Sequence, residues 1–410
     1  MVALIIYYIS KGVFSNMLKK LGLAALAAST LLMGSSITAS ADSTVNYDHL
    51  LSAGSTNAFL AMEDGSSFYA TGSNSNGKLG VGAGGGNNKT SPMQADVSDI
   101  AMIDAGDSHS TLLKKDGTIW SWGFASYGEL GTGNKRDTAR DPVKNKYIND
   151  VKEVRAGGQF TLALKNDGTV WAYGENNFGQ LGIGTKGVSA FSVKPVQVQG
   201  LEDIVAIDAG DSFGAALDKN NQLWVWGKGS DGALGQDDKE NQLTPVQYRI
   251  DDIKTFTAGS DRIYVLTNSG EVYASGSNTS GKLGDGTSTF RRSPVLINIS
   301  NVSRLKAGNT QAFALKNDGT LWAWGVNTYG QVGDGTDVFS IKVPTQVVDD
   351  MNTPLTDVVA FSAAGNHSHA LTADGTVWSW GFNKNGELGI GSTKEQYSAT
   401  KTNFPNPFSE

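Results

Sequence analysis

Short apolar runs separated by polar turns occupy almost the whole chain. One stretch shows the grain: 203–208, 213–218, 222–226 and 244–248 read as four strands. Asp-Gly between two such runs signals a tight hairpin. No segment sustains a 3.6-residue apolar period, so almost no helix is expected.

The runs recur. An Ala-Gly pair marks each repeat, its glycine at 54, 106, 157, 210, 259, 308 and 365. Next comes a turn glycine after Asp, at 65, 117, 168, 319 and 375, with Asn221 and Gly270 in that place in repeats four and five. Asn221 suits the turn because Asn tolerates the left-handed conformation. An aromatic segment ending in glycine follows: YATG (69–72), WSWG (120–123), WAYG (171–174), WVWG (224–227), YASG (273–276), WAWG (322–325) and WSWG (378–381). All nine Trp lie in these segments. Then comes Gly-x-Leu-Gly or a variant, from Leu79-Gly80 to Leu388-Gly389. A four-stranded unit of this size cannot bury both faces alone. Seven around an axis can, leaving only short protected edges.

In this motif order the chain closely resembles the regulator-of-chromosome-condensation repeat family, over roughly 45–404. The resemblance implies an all-β fold: a seven-bladed β-propeller of four-stranded antiparallel blades. It also suggests a bacterial, exported member of that family. Each repeat after the first is read as beginning with a Pro-containing strand, at Pro92, Pro142, Pro195, Pro245, Pro294 and Pro344. The first repeat lacks one, and a matching strand at 398–404 follows the seventh. The ring is therefore expected to close by pairing of 398–404 with 44–53, N- and C-terminal strands sharing one blade.

Composition sharpens this picture. Glycine is 51 of 410 residues, yet hydrophobics at 39% and aromatics at 9% supply a core, so the glycines punctuate turns. The absence of cysteine excludes disulfides, thiolate metal sites and cysteine nucleophiles. Residues 1–41 hold no Asp or Glu; Lys19 and Lys20 precede an apolar run at 21–33, and Ala39-Ser40-Ala41 follows. This reads as a signal peptide, with Met17 the expected start and 1–16 an over-extended beginning. The apolar run is too short for about 30 Å of hydrocarbon. Residues 42–410 are expected as one propeller domain, secreted, extracellular or cell-envelope associated, monomeric, and without stable membrane insertion. Removing Lys11, Lys19 and Lys20 leaves 30 basic against 40 acidic residues, a charge of about −10. That balance argues against nucleic acid as a partner. Lys135, Arg136, Arg140, Lys144 and Lys146 form one basic cluster, whose plain reading is a solvated loop.

Candidate chemistry is sparse. His109 and His367 share one repeat position and read as structural; His367 and His369 have no third ligand nearby, so no metal is expected. His49 is isolated. Asp285 and Asp334, in Gly-Asp-Gly-Thr, read as turn residues. Calcium-loop, P-loop, nucleophile-elbow and metalloprotease motifs are missing. The glycine run at 82–86 precedes no predicted helix, which argues against phosphate. No cofactor and no catalytic residue are expected, and the chain is read as not an enzyme.

Strand parity places the Ala-Gly loops and the loops after the aromatic segments on one face, and the Asp-Gly turns on the other. In the aromatic-segment loops Asn recurs at 74, 176, 278, 327 and 383, a loop-stabilising amide. Two residues on, identity scatters: Asn76, Tyr127, Phe178, Asp231, Ser280, Tyr329, Asn385. It scatters also three residues after the Ala-Gly glycine: Asn57, His109, Phe160, Phe213, Arg262, Gln311. A fixed frame with variable tips suits a display surface. Blades two to four gather His109, Tyr127, Phe160, Phe178 and Phe213 near Asp107, Asp211 and Asp231, the candidate binding residues. The resulting expectation is an exported, non-catalytic propeller that binds a protein or cell-surface partner through one loop-rich face. Two alternatives stay open. One is a secreted inhibitor resembling the exported β-lactamase inhibitors built from such repeats, from which this chain departs by keeping full Gly-x-Leu-Gly loops. The other is an enzyme acting at the axial channel. The family's role in nucleotide exchange on a small GTPase fits poorly with export, acidity and the lack of a long mid-blade insertion.

Overall fold

The computed structural model describes residues 47–82 and 87–409. The signal-like leader and most of the glycine run at 82–86 lie outside them. Each blade is four consecutive antiparallel strands paired in chain order. In the fourth blade these are Ile204–Ala209, Phe213–Asp218, Leu223–Gly227 and Gln242–Gln247. The first strand of every blade lies beside the first strand of the next, and Val358–Ala363 of blade seven lies beside Leu51–Ala53 of blade one. The chain is therefore a closed seven-bladed β-propeller. Asn221 sits in the left-handed region at φ 63°, as its turn requires. Helix among the described residues is confined to short turns such as Ser75–Gly77 and Thr279–Gly281.

The core lies between blades, and the two strongest motifs of the repeat meet there. In the five segments with an aromatic just before the glycine, that ring wedges against the preceding blade. Trp122 stands 5.7 Å edge-on to Phe59, Trp324 5.8 Å from Tyr264, and Trp380 5.8 Å from Phe313. In three of these wedges the indole N–H donates to the carbonyl just before the leucine, or Val332, of the preceding Gly-x-Leu-Gly loop; Trp324 instead donates to the Tyr264 hydroxyl at 3.3 Å, which in turn donates to Lys282 O. Trp122 donates to Lys78 O at 2.7 Å, Trp226 to Gln180 O at 2.9 Å and Trp380 to Gln331 O at 3.0 Å. Burying indole without that bond would leave a polar group orphaned.

Ring closure differs from the sequence expectation. The Pro-containing strand is the outermost strand of the blade before it: Lys89–Ala95 completes blade one, and Gln396–Lys401, which has no proline, takes the same place in blade seven by pairing with Val377–Gly381. No strand is shared between the two ends among the described residues. The tail after Gln396–Lys401 instead crosses the seam. Phe404 packs with Leu51 and Leu60 of blade one and Val359 and Leu371 of blade seven. Pro407 O accepts from Glu63 N, and Phe408 meets Tyr47 at 4.9 Å. Asp48 accepts from Arg304 at 3.0 Å, tying the N-terminal segment to blade six. A second shift falls in repeat seven. Ala364, not Gly365, occupies the place of the other Ala-Gly glycines, since it is the residue immediately after the inner strand, as Gly308 is after Val302–Ala307.

Candidate partner-binding face and axial mouth

The Ala-Gly loops and aromatic-segment loops do share a face: Lys78, in one such loop, donates from Nζ to Asp107 O, in the next blade's Ala-Gly loop. On the other face the Asp-Gly turns meet the interblade connectors, as where Asn166 Nδ2 donates to Asp150 at 2.7 Å. The Ala-Gly loops crowd the axis. A Cβ at Gly54, Gly210 or Gly259 would stand 2.6–2.9 Å from the carbonyl oxygen of Gly106, Gly259 or Gly308 in the next blade. Glycine is required there by close approach.

The position three residues after that glycine is not a display tip. Asn57, His109, Phe160, Phe213, Arg262, Gln311 and His367 are all at most 1% exposed. Each begins the second strand, where the side chain turns under the neighbouring loop. His109 Nε2 meets Thr161 Oγ1 at 2.9 Å; Arg262 donates to Gly308 O and Gln311 O; Gln311 Nε2 donates to His367 O; His367 Nε2 lies 3.3 Å from Asn57 O. The variation at this position records different ways of wedging adjacent blades. At 1% exposure or less, His109, Phe160 and Phe213 are not exposed tips.

The other variable position does lie at the surface. Its loop is held as expected: the recurrent Asn accepts through Oδ1 from the backbone N–H five residues on, at 3.2 Å for Asn74–Leu79 and 3.0 Å for Asn176–Leu181. Phe178 stands half-buried on such a loop; Tyr127, also half-buried, sits on one with Ala125 in the Asn place, where Glu129 Oε2 accepts from Tyr127 N at 2.8 Å. Tyr127 lies 6.3 Å from Phe191, whose ring Lys135 Nζ approaches to 3.9 Å. Phe178 is met by Lys228 Nζ at 5.4 Å, and Lys228 pairs with Asp231 at 2.6 Å. Asp211 and Asp231 line one depression with Lys228 and Asp261, and Phe213 forms part of its wall. The structure thus groups Phe178, Asp211 and Asp231, places Tyr127 one seam away, and sets Asp107 at the axis.

Asp107 and Asp211 rim the axial mouth. Asn309 Nδ2 reaches Asp107 across it at 3.5 Å, a long hydrogen bond. Burial raises Asp107, partly offset by Asn309 and Lys78. Asp211 is pushed up to about 7, first by burial and then by the charges of Asp107 and Asp261, against Arg262 and Lys282. Asp261, which burial alone would raise, is held low by Arg262 and Lys282. The cavity beneath is about 110 Å³, room for a few waters and less than the roughly 300 Å³ of a small-molecule site.

Sequence reasoning missed the axial wall. Its signal was present: the residue two before each Ala-Gly glycine, or before Ala364, is polar in every repeat. These are Ser52, Asp104, Arg155, Asp208, Thr257, Lys306 and Ser362, all lining this cavity. Inner strands are sheet edges, whose outward N–H and C=O groups need partners. Side chains of one blade supply them to the next. Asp104 accepts from Ala156 N at 2.8 Å, Asp208 from Ala258 N at 2.9 Å and Glu153 from Ile207 N at 3.3 Å, while Arg304 donates to Val359 O at 2.9 Å. Burial opposes the charge on Arg155, but Glu153, Asp104 and Asp208 more than restore it. These charges cap edges. Among the described residues no group of three or more His, Asp or Glu is placed to hold a metal ion, and no helix is long and apolar enough to cross a membrane.

The family model of the RCC1-like domain matches residues 136–409, and that of the Regulator of chromosome condensation (RCC1) repeat matches residues 100–129. The chain belongs to this family. It is 30% identical over 203 residues to the ultraviolet-B receptor UVR8 of Arabidopsis thaliana, covering 48% of this chain and 45% of the receptor. It is 33% identical over 181 residues to the RCC1 domain-containing protein RUG3, mitochondrial, of the same plant, covering 42% and 40%. The chain spans less than half the length of these relatives. Among solved structures it resembles yeast RCC1 (Prp20), seen bound to Kap60, with TM-score 0.73 at 20% identity over 91% of this chain and 89% of that one. Human WBSCR16 gives TM-score 0.71 at 20% identity over 82% and 94%. At such identity the likeness shows the fold.

Proposed function

We propose that this chain is an exported, non-catalytic propeller that binds a protein or cell-surface partner through its Ala-Gly face, around blades two to four. The observation that carries this reading is the pair of aromatic tips, Tyr127 and Phe178, half-exposed on loops whose backbone is fixed by buried side chains: Glu129 Oε2 accepts from Tyr127 N at 2.8 Å, and Asn176 Oδ1 accepts from Leu181 N at 3.0 Å. Rigid aromatic anchors lose little entropy on binding, and such anchors dominate interfaces. The axial charges favour binding over catalysis as the role, because their hydrogen bonds go to the edges of neighbouring blades. Yeast Prp20, of the same fold, is described as bound to Kap60 and as binding Gsp1p and histones. Export rests on the leader alone. The test is affinity capture from the cell envelope and culture supernatant with the purified protein. A specific partner lost on combining Tyr127→Ala with Phe178→Ala is expected; capture of the same partner unchanged by that pair overturns the assignment of the face.

A further inference from the structure

The outer seam between blades two and three carries an unusual concentration of charge. Blade two ends in the eight-residue strand Asp137–Lys144, blade three in Ser192–Gln197. Lys135 Nζ lies 3.9 Å from the centre of the Phe191 ring and 5.8 Å from that of Tyr127. Lys194 Nζ and Lys146 Nζ lie 4.5 and 5.5 Å from the Tyr147 ring, which is 41% exposed. The two groups are continuous. Gly133 N donates to Val193 O at 3.0 Å, and a Cβ on Gly133 would meet the Tyr147 hydroxyl at 2.6 Å, so Tyr147 lies against the loop that leads to Lys135.

Lys135, Lys146 and Lys194 are exposed and enter no ion pair among the described residues. The nearby Asp137 is already engaged, accepting from Thr132 at 3.1 Å and from Thr138 N at 2.9 Å. A chain of net charge −7 thus holds three ammonium groups along one seam, none of them in an ion pair among the described residues. Aromatic rings hold those cations along the seam, where a carboxylate is favoured. Ring faces already met by lysine are poor platforms for stacking a sugar. The adjoining strand extends roughly 26 Å at about 3.3 Å per residue.

We propose that this seam binds an acidic, extended peptide segment of the partner protein, an inference that rests on the protein-binding reading above. A fluorescent peptide of ten glutamates is the probe, titrated onto the full protein and onto a K135Q/K146Q/K194Q variant whose melting is checked against the parent. Binding that weakens steeply with salt and falls at least about tenfold in the variant is expected, as for charge-driven contacts. No binding at low salt, or equal binding by the variant, overturns the proposal. Tighter binding of an oligogalacturonate of equal charge, or of phosphatidylglycerol vesicles, also overturns it in favour of a glycan or membrane surface. Should the lysine variant misfold, K194E alone, expected to weaken the peptide severalfold, takes its place, and unchanged binding counts against the seam. Capture separates the two readings: if parent and lysine variant recover the same partner equally, the seam fails while protein binding stands. If neither recovers one, protein binding fails, and the peptide titration still judges the seam.

Discussion

The hydroxyl of Tyr248 lies 2.8 Å from Ser275 Oγ, and between them these two residues replace a tryptophan. Ser275 holds the place of Trp122, Trp226, Trp324 and Trp380 in its own segment, and it donates to Ala233 O at 3.0 Å, the carbonyl that the indole would take. Tyr248, arriving from the end of the preceding blade's outer strand, supplies the ring. Blade one uses a variant of the device, its hydroxyl bonded one residue earlier in the loop. Thr71 stands in the tryptophan place and donates to Gly386 O at 2.7 Å, while Phe404 lies beside it against the Gly389 loop.

Tyr248→Ala is expected to cost about 3–5 kcal/mol through the cavity it opens, whereas Tyr248→Phe should cost about 1 kcal/mol for one lost hydrogen bond. Ser275→Trp should overpack beside Tyr248 yet be tolerated once Tyr248→Ala has emptied the slot, giving a favourable coupling in a double-mutant cycle. Urea melts of the parent, the two single variants and the double variant measure this; simple additivity would show that the two residues do not share a slot.

Phe404→Ala should destabilise by a similar amount, about 3–5 kcal/mol, because its ring fills the joint between blades seven and one. Deleting 403–410 should do so while leaving the outer strand Gln396–Lys401 in place. Unchanged cooperative unfolding after that deletion would show that the tail does not seal the ring.

The buried histidines set an acid limit. Burial lowers His109 to about 4, helped by Lys78, and lowers His367 to about 4 against the favourable Asn57 carbonyl; His369 is lowered further by burial and by His367. Their folded values lie below the unfolded value of about 6.5. The stability they permit is complete above that pH and is lost as pH falls through 4. His369→Phe, which copies Phe59 and Phe313 at the same position, should reduce the loss of melting temperature between pH 6.5 and 4. A slope identical to the parent's would remove His369 from the account.

Asp211 acts in the opposite sense. Its folded value, raised to about 7, lies above the unfolded carboxylate value of about 3.9. Its favourable contribution is therefore present below pH 4 and lost as pH rises through 7. Asp211→Asn should raise the melting temperature at pH 8 relative to the parent and leave it little changed at pH 4. Equal effects at both pH values would mean that Asp211 titrates normally.

The blade count, the strand positions and the two faces were legible because each repeat prints the same turn and wedge residues. Closure was not. Six of the seven outer strands carry a proline and Gln396–Lys401 does not, and a strand lying between two repeats does not show in its sequence which blade it joins. The Ala-Gly variation misled for a related reason. His109, Phe160 and Arg262 differ in chemistry yet do one job under the next loop, and a sequence shows variation without showing burial. Phe178 was readable because Asn176, two residues earlier, marks its loop as rigid; Tyr127, with Ala125 in that place, was readable only from its variable position in the repeat. The basic cluster at 135–146 was visible, but Phe191 and Lys194, which complete its seam, lie some fifty residues away, one repeat on.

The partner-binding claim is tested most directly by the affinity of a captured partner for four single variants. Tyr127→Ala and Phe178→Ala should each weaken binding by about 1–3 kcal/mol with little change in melting, since both are surface tips. Asn166→Ser and Asn317→Ser, in turns of the opposite face, should bind as the parent does. Loss of binding in the turn variants with Tyr127 and Phe178 silent would contradict the account and move the site to the opposite face, where the long connector at 347–358 lies.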